Sequence, residues 1–481
     1  MASKHAASED VELSYNSHLR DIQRGHSKDG DSGVLEQDER EIRRMGKVSL
    51  YKRVHRGRTM FATSASIQAS WQVSLAVSEF APRWQKPLSY MTGWWSTIAW
   101  QSTAAGATFL AGNFIPALAA LFHPYYAPTP WQNNLCAFAL VLLILAINAT
   151  TTKPLVYIQM IAMVVLFIGW LPLVGCMGGL SPHPRSFHDI VTDFTSTNGW
   201  GNLGIAVLVG QISNVYALTS FDAAAHMAEE VTNAGRAVPL AIVWSYVGNA
   251  TVAFVVIALT MWSIPDIGAA VDNPTGFAFI YPLMEAGKRW AQAIVAIITL
   301  IAFAGCTGCN AAASREMAAF ARDGGLPGSK WLAKASDCVT KPTHPPRNSV
   351  YVTCFITVAL ICINFGSTVA FNAIISGQLI ALNASYALTH GCALWARATG
   401  RYRWDIARWN MGRMGVFANS VAFFYDLFLI IFLAFPPTPG VTAGTMNWGP
   451  VIFLGSTVLA LVFYALIGRH QFKDPGKEVI G

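Results

Sequence analysis

The chain has 481 residues, of which 53% are hydrophobic and only 12% are charged. A soluble chain carries about 25% charged residues and at this length divides into roughly two or three domains with charged surfaces; this composition excludes that and makes lipid the solvent. The net charge of +7 does not indicate a nucleic-acid partner, because Lys and Arg fall between apolar runs and no basic groove with interleaved aromatics appears.

Residues 1–58 hold 12 Lys/Arg and few large apolar side chains, and they read as a disordered cytoplasmic tail with no signal peptide. A transmembrane domain is expected over 59–468, and a short cytoplasmic tail over 469–481. Apolar runs long enough to span fall near 90–122, 133–151, 154–177, 203–226, 238–262, 290–314, 349–366, 370–394, 415–435 and 448–468. A weaker run, Met60 to Val77, precedes these ten spans. Basic loops alternate with neutral ones: 315–348 holds six Lys/Arg and 395–414 five, whereas 123–132 and 436–447 hold none. Positively charged loops stay cytoplasmic, so both termini are placed in the cytoplasm. Ten crossings return the chain to its starting side, so Met60–Val77 enters and leaves by one face or lies at the interface.

The eight cysteines (Cys136, Cys176, Cys306, Cys309, Cys338, Cys354, Cys362 and Cys392) lie mostly inside apolar runs and imply no disulfide framework. Cys306 and Cys309 have redox-pair spacing but lack partner ligands, and helix packing is the stronger reading. No nucleophile–base arrangement, phosphate loop or metal cluster emerges, so neither an enzyme nor a cofactor is expected. The sequons at Asn148 and Asn383 fall in or beside spans, where glycosylation is not expected.

The run from Thr219 to Val231 (TSFDAAAHMAEEV), followed by Asn233 to Pro239, resembles the sixth-helix signature of the fungal amino acid/choline permeases, a branch of the amino acid–polyamine–organocation superfamily that includes GABA-permease-like carriers. Three further matches agree in order: Ala313-Ser-Arg through Ala321 to Pro327, Ala370 through Leu382 to Tyr386, and Thr445 to Trp448. The resemblance covers about residues 40–470. It implies an all-α polytopic membrane protein with a LeuT-like fold of twelve helices, in which 5+5 inverted repeats precede two C-terminal helices and the first and sixth helices are broken at mid-membrane. The ten spans then correspond to the third to twelfth helices. Phe61 to Ala76 resembles the first part of the family's first helix and leads directly into Ser78-Glu-Phe-Ala-Pro-Arg83, which in the family follows the second helix. The rest of helix 1 and nearly all of helix 2 are thus expected to be missing, leaving an incomplete first repeat.

Candidate site residues follow from both lines. The 203–226 span carries Gln211, Ser213, Asn214, Tyr216, Thr219, Ser220, Asp222 and His226. Polar groups are costly in hydrocarbon unless paired or wetted, which suggests a helix lining an aqueous cavity. A break near Thr219–Ser220 would free backbone groups for a substrate. Asp222 has two readings, a substrate or proton ligand and a helix cap. His226, Glu229 and Glu230 read as a gate or as a solvated helix end. Thr307 and Asn310 share a helical face and read as site or packing residues. Trp100 offers a ring to a cationic substrate, or plain packing. The polar stripe Asn372, Ser376, Gln378 and Asn383 reads as substrate contacts or interhelical bonds. Asp426 stands alone in an apolar span, with His390 as one possible partner. The resemblance places substrate between helices 1, 3, 6, 8 and 10, which nominates Gln68, Ser70, Trp71, Trp100, Tyr216, Thr219, Ser220, Phe221, Asp222, Thr307, Asn310 and Asn372 for substrate, and Asp222, Glu229 and Glu230 for proton coupling or gating.

The activity so implied is proton-coupled uptake of amino acids or related amines, with choline, polyamines and 4-aminobutyrate within the family's range and the lipid bilayer as the other partner. The plasma membrane is the expected site and the vacuolar membrane the alternative. The incomplete repeat motivates a different class: a non-transporting, truncated isoform acting as a membrane binding or regulatory protein.

Overall fold

The computed structural model describes residues 84–123, 125–150, 152–192, 199–219, 222–226, 231, 233–334, 345–400 and 411–473. Gln68, Ser70, Trp71, Ser220, Phe221, Glu229 and Glu230 lie outside the described residues, as do Met60–Val77 and the junction expected at 76–78.

Among the described residues, nine helices are long and apolar enough to cross a membrane. They are α1 (Gln85–Phe122), α2 (Pro130–Thr150), α3 (Thr152–Gly179), α7 (Ala234–Ser263), α8 (Lys288–Arg322), α9 (Arg347–Gly366), α10 (Thr368–Ala398), α11 (Met414–Phe432) and α12 (Gly449–Phe463), the last prolonged by a π turn over Tyr464–Gly468. The tenth expected span is interrupted and consists of α4 (Leu203–Val209), α5 (Gln211–Leu218) and α6 (Ala223–His226). The ten apolar runs therefore all appear as helix, and the fold is that of an all-α polytopic membrane protein. One boundary needs correction. The span expected to stop at residue 314 continues as α8 to Arg322, because Met317, Ala318, Phe320 and Ala321 extend the buried face.

Local chemistry sets the ends. Asn202 caps α4 by accepting from the Gly204 and Ile205 amides at 2.8 and 3.4 Å, and Ser367 begins α10 by accepting from Ala370 N. Gly287 separates α8 from the short helix Ile280–Ala286 with φ +146°, a conformation that costs glycine little.

The centre is the pairing of the two longest helices. α1 has 38 residues and α8 has 35, about 57 and 52 Å at 1.5 Å per residue, so both outrun a hydrocarbon core of about 30 Å. α2, α3, α9 and α10 pack around them, while α7, α11 and α12 keep most of their surface outward. Hydrocarbon gives helices no hydrophobic reason to associate, so close approach and interhelical hydrogen bonds must serve. α1 and α8 meet through small residues, with Ala104, Ala312 and Ala313 around Trp100, and Ala111 against Cys306. Cys306 thus packs, as do the other described cysteines that are buried, and none of the described cysteines forms a disulfide.

Side-chain amides tie neighbours to the backbone of α8. Gln101 Nε2 donates to Ala313 O at 3.1 Å, Asn148 Nδ2 to Thr307 O at 3.0 Å and Gln159 Nε2 to Ala304 O at 2.9 Å. At one end of the bundle Tyr90, Trp94, Phe320, Tyr464 and Phe472 form an aromatic cluster, with Phe472 3% exposed. Packing therefore continues past 469, where a tail was expected, as far as Lys473, whose amide bonds Asp323 O at 2.8 Å.

At Gly112 on α1, an added Cβ would lie 2.8 Å from the Cα, Cβ and N of Ala137 on α2. Backbone cannot swing aside as a side-chain end can, so Gly112→Val forces α1 and α2 apart. We expect a loss of about 1–3 kcal/mol, read as a lowered melting midpoint of the detergent-solubilised protein, with Gly175→Val on α3, which has nothing within 4 Å of its Cβ position, as the neutral control.

Candidate functional site

The interrupted span supplies the chemistry. α5 ends because Thr219 is extended (φ −71°, ψ 176°), its amide closing the last turn on Val215 O. Its hydroxyl bonds Tyr216 O at 3.0 Å. The helix restarts at Ala223, and Asp222 opens the new turn with its backbone carbonyl, which accepts from Ala225 N at 2.9 Å. The break therefore falls where the sequence placed it.

Asp222 is 5% exposed. Its carboxylate is approached by the Tyr386 hydroxyl and by its own backbone amide, but neither oxygen makes a hydrogen bond of good geometry. The side chains acting on it are the hydroxyl of Tyr386, from α10, and the carboxylate of Glu316, from α8. A buried carboxylate without a firm structural partner is expensive in a bilayer, and such groups mark binding sites more often than scaffolds.

One turn further on, His226 Nδ1 lies 3.0 Å from Glu316 Oε2, with side-chain exposures of 0% and 4%. The Trp100 ring stands edge-on to the imidazole at 5.1 Å and 87°. Trp100 is 0% exposed and shares a cluster with Ala223, Ala312 and Ala313. α1, α6, α8 and α10 thus bring Trp100, Asp222, His226, Glu316 and Tyr386 together in one buried cluster with two carboxylates.

The other nominated residues are distributed unevenly. Tyr216 reaches α1, where a Cβ on Gly106 would lie 2.8 Å from its hydroxyl. Thr307 and Asn310 are engaged in helix packing. The Thr307 hydroxyl bonds Phe303 O at 2.7 Å, and Asn310 joins Thr108 Oγ1 at 3.3 Å and Cys354 Sγ at 3.8 Å. They sit about two turns before Glu316 on α8. Asn372 is exposed and stands apart, whereas Gln378 and Asn383 are buried; Gln378 Nε2 donates to Thr103 Oγ1 at 2.7 Å, and Asn383 to Leu379 O. The expected polar face of 203–226 divides too: Ser213 and Asn214 are exposed, while Asp222 and His226 turn inward. Asp426 pairs with His390 Nδ1 at 2.8 Å, between α11 and α10.

Glu316 and Tyr386 were not nominated from sequence. Glu316 follows Arg315, and the adjacent charges read as the start of a loop. The signal that places it inside is the apolar spacing of Met317, Ala318, Phe320 and Ala321 beyond it.

A bundle of apolar helices built around a broken span with a buried carboxylate is the architecture of a small-solute membrane carrier. A family model for amino acid permeases matches residues 59–457, and the chain belongs to that family. It is 26% identical over 416 residues to a choline transporter of Saccharomyces cerevisiae, covering 84% of this chain and 70% of that one. It is 28% identical over 392 residues to a putative amino acid/polyamine transporter of Macrophomina phaseolina, with 79% and 83% covered. A thiamine transporter of Schizosaccharomyces pombe is 24% identical over 455 residues, with 85% and 74% covered. The chain is therefore an integral membrane transporter of the amino acid permease family, not an enzyme.

Trp100 fills the junction of α1, α6 and α8. Trp100→Ala should cost about 3–5 kcal/mol, and Trp100→Phe clearly less, both read as melting midpoints in detergent.

Proposed function

We propose that the chain is a proton symporter for organic amines, with the cationic nitrogen held at Asp222 in the break between α5 and α6. The observation that carries this reading is the Asp222 carboxylate itself, buried with no well-formed hydrogen bond on either oxygen. A cationic ligand neutralises such a group without demanding any further protein donor. Tyr386 adds an aromatic ring beside it, which suits an ammonium head. The printed names of relatives point the same way, since choline and thiamine both carry a quaternary nitrogen. Amino acids are the other substrate class within the family's description. The distribution of basic loops supports cytoplasmic termini, and the plasma membrane, with the vacuolar membrane second, is the proposed location.

The test is uptake of labelled choline, putrescine and 4-aminobutyrate into cells lacking their own carriers. A charge-assisted hydrogen bond contributes roughly 1.5–3 kcal/mol, so Asp222→Asn should weaken the apparent affinity for the transported amine about 10- to 100-fold, with equal amounts of protein at the membrane. Unchanged affinity in Asp222→Asn removes the carboxylate from the site and with it this reading.

A second reading starts from the sequence between Ala76 and Ser78, where the resemblance implies that the rest of helix 1 and helix 2 of the family pattern are missing. On that reading the protein binds an amine without carrying it and serves as a regulatory membrane protein. Saturable amine binding by the purified chain, together with no exchange in proteoliposomes, would select it.

A further inference from the structure

The outward side of α12 is a column of exposed apolar side chains, Val458, Leu459, Val462 and Leu466. Packing settles its inward side: Ala460 is fully buried, and the Thr457 hydroxyl accepts from Trp95 Nε1 at 2.9 Å. The column runs directly into charge, because Arg469, His470 and Lys473 follow it and are exposed. α1 brings another cation to the same place. Its Tyr90 packs against Tyr464 at 4.8 Å and Phe472 at 5.4 Å. One turn earlier on that face, the Lys86 ammonium donates to Arg469 O at 2.6 Å. The turn after α8 pins the segment, since Lys473 N donates to Asp323 O at 2.8 Å.

These charges are not balanced by the protein. Among the described residues, Lys86, Arg469 and Lys473 form no ion pair with a carboxylate. Asp323 is the acidic residue packed beside them, and Arg322 precedes it. Lys86 also stands in the first turn of α1, which holds no acidic residue and has no side-chain cap. The positive end of a helix repels a cation and attracts an anion, so a negative group bound here relieves both the crowded cations and the helix end. Two exposed indoles mark the depth. Trp84 precedes α1, and Trp331 lies on the short helix Ser329–Leu332, whose Leu332 enters the same aromatic cluster. Exposed tryptophans at the ends of spans sit at headgroup level. An apolar column that ends at this level in unpaired cations matches the two parts of a negatively charged phospholipid. A soluble anion would use the cations and leave the column idle.

We propose that α12 and the start of α1 bind an anionic glycerophospholipid, with its acyl chains along Val458, Val462 and Leu466 and its phosphate at Lys86, Arg469 and Lys473. The lipid ties the first long helix to the last. On the cytoplasmic placement proposed above, this end meets the leaflet that carries anionic lipid; the site itself depends neither on that placement nor on the substrate.

The experiment follows the melting midpoint of the full chain in neutral detergent during titration with phosphatidylserine, phosphatidylcholine or inorganic phosphate. Phosphatidylserine should raise the wild-type midpoint saturably, and the other two should not. Each neutralised cation should raise the half-saturating phosphatidylserine concentration about fivefold, so Lys86→Gln/Arg469→Gln should raise it roughly 25-fold. Lys153→Gln removes an exposed charge on α3, outside this cluster, and should behave as the wild type. Equal responses of the wild type to the two lipids overturn the proposal, as does an unchanged half-saturation in the double variant. A rise with inorganic phosphate equal to that with phosphatidylserine means a soluble-anion site and overturns the lipid assignment. A loss in Lys153→Gln as large as that in the double variant means general surface charge, with no site at α12. Folding is read from each midpoint in detergent alone. If the double variant does not fold, Lys473→Gln, on an exposed side chain, carries the same test with a fivefold shift expected.

Discussion

Three carbonyl groups of one helix hold the bundle together. Ala304, Thr307 and Ala313 of α8 each accept a side-chain amide from a different helix, Gln159 on α3, Asn148 on α2 and Gln101 on α1. A helical carbonyl already receives its own chain's N–H, and the second lone pair is free for such a bond. In hydrocarbon this matters more than in water, because helices there have no solvent to escape by meeting. The amides can reach the backbone only because α8 is lined with Ala, Gly, Cys and Ser along that stretch. Small side chains and crossing amides are thus one device. The three accepting residues span about 14 Å of helix, enough to fix the rotation of α8 as well as its distance from its neighbours.

That fixed rotation gives the site its rigid side. Glu316 and the Ala312–Ala313 seat under Trp100 belong to α8, so they inherit its immobility. The opposite wall is α6, set off from α5 by the extended Thr219. A stiff surface carrying one carboxylate faces the broken span carrying the other. Alternating access in this class of fold needs such an asymmetry, with some elements stationary and others free to rock.

Much of this was readable beforehand, for physical reasons. Span positions follow from the bilayer's thickness acting on hydropathy, so the runs near 133–151 and 349–366 come back almost residue for residue as α2 and α9. The break in 203–226 was visible because Thr219, Ser220 and Asp222 are poor company in lipid. What could not be read was pairing across space. Thr307 and Asn310 have the right spacing for a binding face, yet their partners, Phe303, Thr108 and Cys354, occupy them. Glu316 looked like a loop residue because its charge outweighed the helical spacing behind it; His226, arriving from 90 residues earlier in the chain, is what makes that charge tolerable inside. The His390–Asp426 pair was only a possibility in the sequence, and the packing of α10 on α11 selects it.

The aromatic cluster at the end of α8 sets an order of events during synthesis. Tyr90 and Trp94 leave the ribosome early, Phe320 some 230 residues later, and Tyr464 and Phe472 only after every other described helix has been made. Until then Tyr90 lacks the Tyr464 and Phe472 rings that pack against it. A nascent chain that has inserted α1 through α11 still lacks two of the five rings of this cluster. The arrival of Phe472, buried at 3% exposed, closes the cluster only once every described transmembrane helix has been made.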